Sequence, residues 1–106
     1  MLDLRLIREQ PDLVREALRK LNTEAPIDEI LQLDERRRQL VAEVEQLKAQ
    51  RNAESKRIGQ MPPGPEREAA ITAMRQLGDR IEELDRELAT VEERLQALLL
   101  EVPHPP

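Results

Sequence analysis

Two apolar series that mirror each other about a turn constrain this chain more than any other feature. Positions 30, 33, 37, 40, 44, 47, 51, 54 and 58 hold Ile30, Leu33, Arg37, Leu40, Val44, Leu47, Arg51, Glu54 and Ile58. Their gaps alternate between three and four and six of the nine are apolar, as along the seam of a coiled coil. The second series is cleaner. Met74, Leu77, Ile81, Leu84, Leu88, Val91, Leu95 and Leu98 follow one another with no polar interruption, and Ala70 extends the series backwards. In an antiparallel hairpin, facing residues have index numbers with a constant total. A total of 128 sets every position of the first series opposite one of the second, from 58 with 70 to 30 with 98. The midpoint, residue 64, falls inside Gly59-Gln60-Met61-Pro62-Pro63-Gly64-Pro65. There Gly59 can end a helix in a left-handed conformation, Pro62 and Pro63 cannot continue it, and Pro65 can open the next. The prediction is an all-α fold: a long antiparallel two-helix coiled-coil hairpin over 27–102 with its tip at about 59–65. Each helix would run about 45–55 Å at 1.5 Å rise per residue, giving an arm and not a globule.

The flanks are shorter pieces. Leu2, Leu4, Leu6 and Ile7 begin an apolar run that Gln10-Pro11 breaks. Pro11 suits the first turn of a new helix, where its missing N–H would have no partner anyway. Leu13, Val14, Ala17, Leu18 and Leu21 then recur at helical spacing. Residues 1–26 therefore read as short N-terminal helices, packed at the base of the hairpin, followed by the loop Asn22-Thr23-Glu24-Ala25-Pro26. The hairpin should end near Val102, before the tail 103–106. Leu2, Leu6, Leu99 and Leu100 are candidates for an apolar patch at the base that packs on itself or on a neighbour.

Composition agrees with a hairpin and removes many functions. There is no Phe, Tyr or Trp among the 106 residues, so any core is aliphatic. There is no Cys, so no disulfide, thiol nucleophile or cysteine metal site. The single His104 lies in the tail, which leaves no histidine acid–base pair. Gly-rich phosphate loops of the common patterns are missing. No apolar run approaches the ~18 residues a membrane span needs, and the first residues do not form a signal peptide. A cytoplasmic protein without membrane contact is expected. An enzyme complete in itself would have to work with carboxylates alone on a convex surface without a pocket.

Charge is uneven. The chain carries 22 acidic and 17 basic residues, a net −5. Between Gln46 and Gln76, Lys48, Arg51, Lys56, Arg57, Arg67 and Arg75 stand against Glu54, Glu66 and Glu68, a local +3 that leaves −8 elsewhere. An overall acidic protein thus displays a basic distal region, and with a Debye length of about 8 Å a partner feels the local sign. Charge alone leaves two readings open: an ordinary mixed coiled-coil face, or a surface for nucleic acid. Arg37, Arg51 and Glu54 interrupt the apolar seam. Their stems can pack along it while their heads reach water, or the distal half is kept less stable because its surface serves a partner. Arg36-Arg37-Arg38 follows Asp34 and Glu35 and reads as a salt-bridged face. Gly78 is mid-helix, where it costs about 1 kcal/mol relative to Ala. Tolerance in a long helix or the close approach of a partner would explain it. Without aromatic side chains, stacking on unpaired bases is not available. What remains is contact with phosphates and sugars of a helical RNA, a recognition of shape.

Four blocks, in this order and spacing, carry a resemblance. They are MLDLRLIREQPDLVREALRK at the start, ILQLDERRRQL from Ile30 to Leu40, LKAQRNAESKRIG from Leu47 to Gly59, and LLLEVPHPP at the end. Together they resemble the N-terminal domain of bacterial seryl-tRNA synthetase over essentially the whole chain. The resemblance implies a helical hairpin that grips the long variable arm and elbow of serine tRNA and ignores the anticodon. It implies a parent class II enzyme, a homodimer through its catalytic domain, that activates serine with ATP and Mg²⁺ and charges tRNA. That catalytic domain would follow the tail, so this segment is expected to have no cofactor and no aminoacylation activity of its own.

The RN-x-x-SK block places Arg51, Asn52, Ser55 and Lys56 among the expected tRNA contacts. Lys48, Arg57 and Arg75 join them on charge, not on the resemblance. The competing expectation is a structural or interaction hairpin that binds a protein partner through its exposed faces.

Overall fold

Proline and its preceding residue set the start of three helices. The computed structural model describes residues 4–20 and 26–102. Helix α1 spans Leu4–Glu9, α2 Pro11–Lys20, α3 Ile27–Gly59 and α4 Pro65–Glu101. Pro11 and Pro65 occupy first helical positions, where a missing N–H costs nothing. The carbonyls of Gln10, Pro26 and Gly64 accept the first backbone bonds of α2, α3 and α4, from Val14, Ile30 and Glu68 at 3.2, 3.0 and 3.1 Å. The expected loop falls mainly on residues 21–25 and the tail on 103–106, both outside the described residues.

The turn between α3 and α4 departs from expectation at one glycine. Gly59 is the last residue of α3, yet it is not left-handed. Gly64, with φ 152°, takes the conformation that side chains rarely allow. The end of α3 instead tightens: the Gln60 and Met61 N–H groups bond back to the Arg57 and Ile58 carbonyls, both at 3.1 Å. Such three-residue bonds satisfy orphan carbonyls without a left-handed cap.

All eighteen predicted seam positions are buried or half-buried, and none is exposed. This burial pattern is that of the predicted antiparallel coiled-coil hairpin. Two compact units divide the chain, residues 1–37 with 90–106, and residues 38–89. In the first, Ile7 of α1 and Val14 and Leu18 of α2 join Ile27, Ile30, Leu95, Leu98, Leu99 and Val102 in one cluster, with Leu4, Leu6, Leu31 and Leu33 packed against it. Full burial of such a side chain contributes roughly 1.5–3 kcal/mol. Of the four leucines expected in a basal patch, Leu6 and Leu99 therefore belong to this core, Leu100 is 69% exposed, and Leu2 lies outside the described residues. In the second unit, Leu40, Val44, Ile58, Ala70, Ile81 and Leu84 are buried.

Asp34 is the buried charge of the first unit, with no exposed surface. Arg8 of α1 donates to it twice, Nε to Oδ2 at 2.7 Å and Nη2 to Oδ1 at 2.9 Å. Arg37 adds Nη2 to Oδ1 at 3.0 Å. A desolvated carboxylate is tolerable only with such charge-assisted bonds. So the head of Arg37, expected to reach for water, closes an ion cluster that ties α1 to α3. The salt-bridged face expected around Arg36–Arg38 is real at Arg37, but its acid faces inward. Arg15 of α2 also pairs with Asp28 of α3.

Candidate nucleic-acid interface

The distal half of the hairpin lies in the second unit, and its basic groups are sorted by the helix period. Seam positions repeat at 44, 47, 51, 54 and 58, so residues 48, 52, 55 and 56 fall away from the seam on α3. Lys48, Asn52, Ser55 and Lys56 are all exposed, and so are Ala49 and Ala53 among them. Lys48, Asn52 and Lys56 stand one turn apart each, and side chains at this spacing stack on one face. Neither lysine makes an ion pair among the described residues, so both ammonium groups are available.

The other expected contacts differ in kind. Arg51 is half-buried in the seam and forms no ion pair among the described residues. Arg57 is exposed, but Glu54 accepts from its Nη2 at 2.7 Å and its Nε at 3.2 Å. That hydrogen bond, with the carboxylate's charge, raises the pKa of Arg57 above its ordinary value. Arg75 is exposed and lies on α4. The structure therefore gathers four of the seven expected residues on one exposed face, turns Arg51 partly inward, neutralises Arg57, and leaves Arg75 on the other helix. The Glu54–Arg57 pair was readable as an i, i+3 spacing of opposite charges. Taking Glu54 only as a seam residue concealed it.

A second edge of the hairpin is given to structure. Arg80 Nη2 of α4 reaches Glu43 Oε1 of α3 at 3.6 Å, and its Nη1 lies 3.2 Å from Glu83. At the tip, a cleft of about 360 Å³ is lined by Met61, Pro62, Pro63, Gly64, Pro65 and Glu66. No basic side chain lines it. Among the described residues no helix is long and apolar enough to cross a membrane.

The interface is an exposed set of cations and small hydrogen-bonding side chains on a helix surface. It can hold phosphate and sugar oxygens.

Comparison with known proteins shows the family. The family model described as the seryl-tRNA synthetase N-terminal domain matches residues 1–106. A serine–tRNA ligase of Thermomicrobium roseum is 88% identical over 106 residues, covering 100% of this chain and 24% of the relative. One from a Roseiflexus species is 57% identical over 109 residues, with 99% of this chain and 26% of the relative covered. One from Desulfitobacterium hafniense is 40% identical over 107 residues, with 100% and 25% covered. The chain thus spans about a quarter of the length of the curated relatives it matches. Matched from end to end by the model and by these relatives, it belongs to the seryl-tRNA synthetase N-terminal domain family.

Proposed function

We propose that this chain is the tRNA-binding hairpin of a serine–tRNA ligase and that it recognises the long variable arm and elbow of serine tRNA by shape. The observation that supports the reading is the family match along the whole chain. The exposed basic face agrees with it, because Lys48 and Lys56 can neutralise phosphates while Asn52 and Ser55 bond to phosphate or sugar oxygens. Arg51, Arg57 and Arg75 complete the set of candidate contacts. The lack of aromatic residues fits a reader of backbone and not of unpaired bases.

The whole synthetase would be a class II enzyme and a homodimer, in which the hairpin serves the tRNA whose acceptor end enters the other subunit. Activation of serine with ATP and Mg²⁺ would belong to the part of the relatives' length that this chain does not span. Among the described residues, no group of three or more His, Cys, Asp or Glu side chains could hold an ion.

Titration of the chain with a serine tRNA of long variable arm and with a tRNA of short variable arm, each at two salt concentrations, tests the reading. The expected result is tighter binding of the long-armed tRNA, weakening steeply as salt rises. Equal or absent binding of both at low salt would sink it and favour a hairpin that binds protein.

A further inference from the structure

We propose that RNA is gripped by one helix of the pair, through the outer face of α3 between Lys48 and Lys56, while α4 acts as its backing. This rests on the tRNA-binding reading and narrows it to a single face.

Charge arithmetic separates the two helices. From Gln46 to Gly59, α3 carries Lys48, Arg51, Lys56 and Arg57 against Glu54 alone, a net +3. The stretch of α4 opposite it in the seam register, 69–82, carries Arg75 and Arg80 against Asp79 and Glu82, a net zero. The local excess of positive charge thus belongs to α3. A polyanion lying along α4 would gain nothing net from that segment, and α4 grows more acidic beyond it, with Glu83, Asp85 and Glu87.

Ion pairing sharpens the difference. The α4 cation Arg80 is shared between Glu43 and Glu83. Arg75 makes no ion pair among the described residues, and Asp79 stands one turn further along its own helix. On α3, Arg57 is held by Glu54. Lys48 and Lys56 have no ion pair among the described residues, and the exposed positions between them hold Ala49, Gln50, Asn52, Ala53 and Ser55, with no acid. Glu45 closes this face on the side of Lys48. The alanines keep the surface low, so a sugar–phosphate strand can approach the helix, with Asn52 and Ser55 as donors between the lysines. Eight residues separate the lysines, about 12 Å of helix rise, enough for each to meet its own phosphate.

The experiment compares two charge-matched variants of the chain, Lys48→Gln with Lys56→Gln on α3 and Arg67→Gln with Arg80→Gln on α4. Both are titrated with a long-variable-arm serine tRNA transcript across a salt series. All four positions lie outside the buried core, and a thermal melt followed by circular dichroism verifies that both variants keep the helical hairpin. The α3 variant should bind about 10-fold or more weaker and lower the slope of log affinity against log salt by about two. The α4 variant should stay within about twofold of the unaltered chain, with the same slope. Comparable losses in the two variants, or a larger loss on α4, would overturn the one-helix grip and leave the tRNA-binding reading standing. No binding by the unaltered chain would overturn both.

Discussion

Asp34 shows how one residue can be misread from its neighbours in sequence. It stands beside three arginines, so a surface ion pair is the natural expectation. In the structure it has no exposed surface and is held by Arg8 and Arg37, whose side chains are 34% and 28% exposed. Removing one cation leaves a buried carboxylate underpaired, which is costlier than losing a surface contact. Arg8→Met should lower unfolding free energy by about 3 kcal/mol in urea melts. Arg19→Met, which removes only an exposed pair with Glu16, should change it by less than about 1 kcal/mol. Arg51 presents the opposite case. It is half-buried at a seam position and makes no ion pair among the described residues, so its stem packs while its charge is not matched by an acid. Arg51→Leu should raise the melting temperature by a few degrees, since the seam gains apolar area. A lower melting temperature would mean that Arg51 makes a stabilising contact of another kind. Gly78 is open: a Cβ built there meets nothing within 4 Å. Gly78→Ala should stabilise the chain by about 1 kcal/mol, read from the same melts.

Between α3 and α4 the register is written twice. The apolar seam totals 128. The ion pairs Glu29–Arg94, at 3.2 Å, and Glu43–Arg80, at 3.6 Å, both total 123. They lie one in each compact unit and agree on one alignment of the two helices. Each pair is half-exposed and weak alone. A slip by one helical turn would break them all, along with the seam. A double-mutant cycle with Glu29→Gln and Arg94→Gln should return a coupling of about 0.5 kcal/mol that shrinks as salt rises. A salt-independent coupling would show that packing, and not charge, links the two residues.

At the scale of the whole chain, a net charge of −5 coexists with a distal +3. Binding to RNA through two or three phosphate contacts should weaken about 10- to 40-fold between 50 and 200 mM salt, measurable by fluorescence anisotropy of a labelled tRNA. A flat response would exclude phosphate contacts as the source of affinity. The seam and the helix starts at Pro11 and Pro65 were legible in the sequence. Each rests on a local period or on a residue whose backbone limits act within one turn. Gly59 was misjudged because a helix can close its last turn in more than one way, and the choice belongs to the turn as a whole. Arg57 was counted among the contacts on its charge alone, and its bond to Glu54 is settled by side-chain conformation across one helical turn. The cluster of Asp34 with Arg8 joins residues 26 apart and could not be read at all. By itself, then, the sequence determined the hairpin, its register and where positive charge gathers, because periodicity and spacing carry those directly. Only the tertiary structure decided which charges are spent on the fold and which stay available, because that depends on which side chains meet across helices in the folded chain.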